Sequence, residues 1–487
     1  MTQLDRDSIF PSTRRQFLAT NAFGIGSFAL ASLLRDEGLL AAPPGKPTSI
    51  TTNDLKTRQP PATPKATAMI SMFMHGGPSH TDLLDPKPEL TKHHGQDYNG
   101  DVVFSFVNRA SKKLLGSPWK FSPQGQCGTE VSELLPHISS IVDDISVIRS
   151  MHTGHNGHEV SIRYFHGGIP AVAGRPTMGS WLVYGLGSEN QNLPAYLVLA
   201  DPSGHPVDGT INWSSGFMPP LFQGTVLRSE EPRIFNLEPP ARTRGEVQKQ
   251  NLDLLAQLNR RHLERHPGEL DLEARIASYE LAAAMQGAAK EALDISQEPE
   301  HIQKLYGLDV PECREYGTRC LIARRLVERG VRFVQLFLGG QPWDNHTGIK
   351  SGLPAICKRT DQPAAALVKD LKQRGMLDST IVHWGGEIGR LPVCEGNIDD
   401  NCGRDHNGQG FSIWLAGGGI KPGMTYGETD EVGHRAAVNI VTPNDFQATI
   451  LNQFGIDHSK LLFQFNGREQ QITDGRPAKV VTEILNG

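Results

Sequence analysis

The stretch VRFVQLFLGGQPWDNHTG, residues 331–348, sets a largely apolar run against a glycine-containing loop that carries Trp343, Asp344 and His346. A short apolar run that stops at glycines is the pattern of a buried strand feeding a loop. The same shape recurs at 66–77 (ATAMISMFMHGG), 145–154 (ISVIRSMHTG), 193–200 (LPAYLVLA), 379–389 (STIVHWGGEIG) and 411–419 (FSIWLAGGG). Helical patterns lie between them. Glu246 to Glu291 reads as two long helices broken at His266-Pro267-Gly268, and Thr318–Arg329, Thr360–Arg374 and Asn444–Phe454 are amphipathic. Thr442-Pro443-Asn444-Asp445 reads as the N-terminal cap of the last segment. Strand and helix in alternation predict βαβ units around a parallel sheet covered on both faces. The expectation is one large α/β domain over 66–487, with a helical insertion at about 240–300.

Composition narrows the function classes. With 487 residues, 21% charged and a net charge of −5, the chain has neither the basic footprint of a nucleic-acid binder nor the bias of a disordered tail. Its six cysteines include no CxxC, which argues against a thiolate zinc site. One or two disulfides stay open, with Cys394 and Cys402 the first pair to test.

The N-terminus carries an address. Ser12-Thr13-Arg14-Arg15-Gln16-Phe17-Leu18, followed by a mildly apolar run, reads as a twin-arginine export signal over residues 1–42. A membrane anchor is the competing reading, since Phe17 to Leu34 has the length of a minimal span. Residues 43–65 are rich in Pro and Thr and read as an extended linker. Export implies the twin-arginine translocation machinery as a partner, a periplasmic or extracellular location, and no stable span after processing.

In an open parallel sheet, sites form beyond the carboxyl ends of the strands. There this chain places His75 to Asp82, His152 to Glu159, Trp343 to His346 and Glu387, with Arg404-Asp405-His406 just before the last strand. Imidazole and carboxylate together suit Zn or Mn, and carboxylate-rich subsets suit Mg or Ca. Each piece has a bland alternative: Asp82 as a helix cap, Glu387 as a partner of Arg390, and His152, His155 and His158 as solvated loop residues. Thr153, Ser161 and Ser79 are the candidate nucleophiles. Arg163 and Arg404 are candidate oxyanion clamps or structural ion pairs.

Seven ordered blocks, among them MFMHGGPSHTDLLDPKPEL, SMHTGHNGHE, WDNHTG, GGEIGRLP and GRDHNGQGFSIWLAGGGIKPG, resemble domain-of-unknown-function family 1501 over about residues 66–485. That family belongs to the alkaline-phosphatase and sulfatase-like superfamily. The resemblance implies a three-layer α/β/α sandwich and a divalent metal held at the strand ends by Asp82, His158, Asp344, His346, Glu387 and His406. Asp344 and His346 resemble the superfamily's Asp-x-x-x-His pair at a spacing of two instead of four, and Glu387 stands where Asp-His is usual. His406 resembles the late metal histidine. The activity implied is metal-assisted hydrolysis of phosphate or sulfate esters, on a small molecule or a glycan, with Thr153, Ser79 and Arg404 as catalytic candidates. The Cys/Ser-x-Pro-x-Arg pentapeptide of formylglycine sulfatases is absent. The competing readings are a non-catalytic binding or assembly module of the same fold, and isomerase or mutase chemistry.

Overall fold

All six apolar runs become neighbours in one sheet. In the computed structural model, which describes residues 54–105, 110–266 and 269–486, eight strands form it. They are β1 (Ala68–Phe73), β2 (Ile145–Met151), β3 (Tyr196–Leu199), β4 (Thr225–Leu227), β5 (Phe333–Phe337), β6 (Thr380–Gly385), β7 (Phe411–Ala416) and β8 (Met424–Tyr426). Their spatial order is β8-β2-β7-β6-β1-β5-β3-β4, and every pairing is parallel except those of β7 with β2 and β6. At the centre Ile70 sits in register with Val334 on one side and Val382 on the other. The two edge strands, β4 and β8, have three residues each, too short to stand out as apolar runs.

Strand geometry sends alternate residues to opposite faces, and two cores result. Ile70, Met72, Val334, Leu336, Val382 and Trp384 face one core with α4 (Leu270–Leu293), α5 (Pro311–Glu328) and α6 (Ile349–Gln373). Met69, Phe73, Phe333, Phe337, Ile381 and Ile413 face the other with α1 (His158–Gly167), α2 (Met178–Leu186) and α7 (Pro443–Gln453). The architecture is therefore the expected three-layer α/β/α sandwich with a mostly parallel sheet. α3 (Glu246–Arg265) and α4 supply the helical segment, and α3 buries none of its residues.

Local chemistry explains the start of α7. Thr442 Oγ1 accepts from the Asp445 N–H (3.2 Å) while Asp445 accepts from the Thr442 N–H (2.9 Å), a capping box at the start of α7. α6 begins eleven residues before the helix read from sequence and holds Pro354 and Pro363 inside it. Each proline removes a backbone donor. The buried face of Leu353, Ile356, Cys357 and Ala364 to Val368 outweighs that loss.

Residues 1–42, read above as an export signal, and residues 43–53 lie outside the described residues. Residues 54–65 run along the body: the Arg58 guanidinium donates to Tyr184 O (2.8 Å), and the Lys65 N–H to Gln453 O (2.8 Å). Among the described residues no helix is long and apolar enough to cross a membrane. All six cysteines carry free thiols, with Cys394 and Cys402 packed together against Leu115.

Candidate metal centre

Three loops and one helix start deliver side chains to the carboxyl edge of the central strands. His158 opens α1 directly after the β2 loop. Asp344 and His346 follow β5 on a loop pinned from below, where the Arg404 N–H donates to Asn345 O (3.0 Å). Glu387 follows β6, and a short antiparallel ribbon pairs Gly389–Arg390 with His406–Asn407, so that Arg390 and His406 stand side by side. Gly76, after β1, has φ +107°, and a Cβ there would lie 2.9 Å from Asp344 N. Glycine at this position is what lets the β1 and β5 loops touch.

The Nε2 atoms of three histidines converge on the Asp344 carboxylate. His406 Nε2 lies 2.9 Å from both His158 Nε2 and His346 Nε2. Asp344 Oδ1 is 3.1 Å from His346 Nε2 and 3.2 Å from His406 Nε2, and Oδ2 is 3.4 Å from His158 Nε2. Donors at the corners of a tetrahedron around Zn, with bonds of about 2.0–2.1 Å, stand roughly 3.3 Å apart, and these separations, which are also hydrogen-bond distances, are close to that. The opposite ring nitrogens are anchored. His158 Nδ1–H donates to Glu387 Oε1 (2.6 Å), His346 Nδ1–H to Glu395 Oε2, and His406 Nδ1 meets Ser105 Oγ at 3.0 Å. A carboxylate only accepts, so the two Glu partners put the proton on Nδ1 of His158 and His346 and leave the Nε2 lone pairs facing inward.

Without an ion, protons take the place of a cation on these inward Nε2 atoms. Burial disfavours ionisation of Asp344, yet the Arg390 guanidinium and hydrogen bonds from His158, His346 and His406 hold its carboxyl far below the ordinary range. Glu387 is fully buried, which raises its pKa, but His158 and His75 bring it down to about 2. Burial lowers the His158 pKa, and hydrogen bonds with Asp344 and Glu387 more than offset this, raising it to about 9. Burial lowers the His346 pKa too, but Asp344 and Glu395 more than offset it, while burial pushes His406 down. Buried carboxylates that draw positive charge onto imidazoles are also what a divalent cation satisfies. The donor set fits such an ion, and two overlapping groups, His158/Asp344/His406 and His346/Asp405/His406, have the spacing to hold one.

Of the six ligand candidates, the structure brings His158, Asp344, His346 and His406 together with Glu387 behind them, and keeps Asp82 apart. Asp82 Oδ2 accepts from Arg404 Nε (2.7 Å) and Ser79 Oγ (2.5 Å), and Oδ1 accepts from Arg404 Nη2 (3.1 Å). That arrangement commits the Arg404 side chain to a buried ion pair with Asp82, with the Ser79 hydroxyl hydrogen-bonded to it, and not to the cluster. Thr153 sits under the loop, its hydroxyl 3.3 Å from Gly408 O. Arg163 forms a two-pronged pair with Asp208 at 2.6 and 2.7 Å. A cavity of about 460 Å³ lined by Thr91, His94, Leu115, Ile349 and Arg404 reaches the Asp82–Arg404 pair but none of the three histidines.

Glu395, Asp405 and Ser105 were not anticipated as site residues. Glu395 ends a three-residue strand, Val393–Glu395, outside the main sheet that is too short to print an apolar run, and its N–H donates to Gly403 O (2.9 Å). Ser105 carries no recognisable signal. The Arg404-Asp405-His406 triplet did hold one, since Asp405 neighbours a candidate ligand.

The solved structures similar to this chain include the phosphonate monoester hydrolase SpPMH from Silicibacter pomeroyi, at 12% identity and TM-score 0.31, covering 66% of this chain and 68% of that one. The PsFucS1 sulfatase from Pseudoalteromonas sp. matches at 14% identity and TM-score 0.31 (66% and 62%). Alkaline phosphatase from the Antarctic bacterium TAB5 matches at 9% and 0.28 (76% and 97%). A search of curated proteins finds no match. Residues 66–485 match the model of DUF1501, described as a protein of unknown function, and the chain belongs to that family.

Proposed function

We propose that this protein is an exported, metal-dependent hydrolase of phosphate or sulfate esters, working on a small-molecule or glycan ester outside the cytoplasm. One observation carries the reading: three imidazole Nε2 atoms and one carboxylate converge at the carboxyl edge of the sheet, each ring held from behind. A divalent ion bound there supplies a Lewis acid for the ester oxygens and an acidified water. The remaining work falls to the chain. Glu387 and Glu395 fix ring orientation and tautomer, so the donors do not reorganise during reaction. Asp344 and His346 keep 17% and 16% of their side-chain surface open, which leaves an approach for an anionic ester. Among the described residues, the hydroxyl that touches these histidines is that of Ser105, and it lies on the Nδ1 side of His406, away from the convergence point. Water is therefore the nucleophile in this reading. A second reading, a binding or assembly module that holds an ion without turnover, draws on one fact: Thr153, Ser79 and Arg404 are all engaged elsewhere.

The test uses protein purified without chelator. Bound divalent ion, a fall in melting temperature with EDTA, and turnover of aryl phosphates or aryl sulfates that His406→Ala abolishes are the expected results. Absence of an ion together with indifference to EDTA refutes the hydrolase. A tightly held ion without turnover on either ester selects the binding module.

A further inference from the structure

Arg390 is fully buried and makes four contacts, all to oxygen. Its Nη1 meets Asp344 Oδ1, its Nη2 donates to Gly76 O, its Nε to Gly77 O (3.0 Å), and Nη1 also reaches Arg404 O at 3.3 Å. One carboxylate and three backbone carbonyls lie round the point where the guanidinium sits, and oxygens of these kinds are the ligand chemistry of a hard cation such as Mn, Mg or Ca. The guanidinium fills that point, on the same Asp344 oxygen that faces His346 and His406.

The other groups that would assemble a second ion's shell are already committed. Glu387 accepts from the Gly76 N–H (3.1 Å) and His158 Nδ1–H, and Asp82 from Arg404. Asp405 accepts from the Ser105 N–H (2.6 Å) and the His406 N–H (2.7 Å). The alternative group His346/Asp405/His406 shares two histidines with the first, and the Nδ1 atoms on its side are bound to Glu395 and Ser105. We propose that the centre takes a single divalent ion, at the Nε2 convergence point, and that Arg390 is its built-in second cation, occupying an oxygen cage that otherwise accepts a metal. This rests on the metal-binding part of the function proposed above and adds the ion count and the role of Arg390.

The decisive measurement is stoichiometry. The full chain is saturated with Mn²⁺ or Zn²⁺, desalted, and counted by native mass spectrometry and elemental analysis, with circular dichroism melting to establish folding. Wild type is expected to hold one ion per chain, reduced to none in His406→Ala. Arg390→Lys, which keeps a positive charge in the cage, is expected to stay at one. Arg390→Ala opens the cage and is expected to rise to two in excess Mn²⁺. Two ions in wild type overturn the inference and leave the hydrolase standing, whereas none overturns both. A folded Arg390→Ala that stays at one ion refutes the role given to Arg390. Should that variant fail to fold, Arg390→Lys decides: a second ion in the lysine variant refutes the same role.

Discussion

Asp82→Asn separates a ligand from an ion pair. The Asp82 and Arg404 side chains are both 0% exposed, and the pair is closed by contacts of 2.7 and 3.1 Å. An asparagine of the same shape keeps one acceptor but turns an NH₂ toward a guanidinium and leaves the positive charge buried without its counter-charge. Breaking a buried pair from one side costs about 3–5 kcal/mol. Arg404 also donates to Leu115 O (2.8 Å) and Leu391 O (3.3 Å), which survive the change, so the lower end, about 3 kcal/mol, is expected. Urea denaturation gives the loss from the shift in midpoint at an unchanged slope. Asp82→Leu combined with Arg404→Met should recover most of it, because a well-packed apolar pair avoids desolvating two charges. Ion content should not change in Asp82→Asn. A loss under about 1 kcal/mol, or an ion lost at full stability, refutes the argument and restores Asp82 as a ligand.

Glu395→Gln replaces the carboxylate that accepts the His346 Nδ1–H with a neutral amide, a weaker acceptor; chelator competition should show ion affinity weakened by roughly 10–100-fold, the usual cost of losing such a support, and unchanged affinity contradicts its role. His383 is fully buried against Ser71 Oγ (3.0 Å), and burial lowers its pKa from 6.5 to about 3. The unfolded chain therefore binds the extra proton between pH 6.5 and 3, and stability falls with decreasing pH across that window. His383→Gln should flatten the fall by up to about 1.4 kcal/mol per pH unit relative to wild type, and parallel stability–pH curves for the two proteins refute this. Cys127 is the exposed cysteine, whereas burial and the neighbouring Cys402 push the Cys394 thiol up to about 12. Iodoacetamide at neutral pH should modify Cys127 first and reach Cys394 only after unfolding, as peptide mass mapping would show; early labelling of Cys394 contradicts the packing.

The strands were legible because a strand inside the sheet buries both faces and so prints a largely apolar run, as in the parallel FVQLF at 333–337 and the antiparallel FSIWLA at 411–416. The Thr442 cap was legible for the same kind of reason, since a capping box is chemistry within four residues. Helix α6 was half hidden, because local rules end a helix at proline while its buried face is a property of the whole domain. At the site, residues placed at strand ends by chain order alone, His158, Asp344, His346 and Glu387, did meet, because strand direction in a parallel sheet carries every such end to one edge. Asp82 satisfied the same positional rule and failed it in space. Its partner Arg404 is 322 residues away, and whether a carboxylate meets a guanidinium or an imidazole depends on which loop crosses it. Glu395 and Ser105 obeyed no positional rule, and chain order pairs Arg390 only with its neighbour Glu387. They reach the cluster through a cross-loop backbone bond, a loop returning to His406 and a short ribbon, contacts that exist only once the chain has closed on itself. The sequence by itself determined the layers and the edge where chemistry collects, because burial and strand direction are written locally. Only the tertiary structure decided which polar groups face one another there, because pairing across loops is settled by packing at long range.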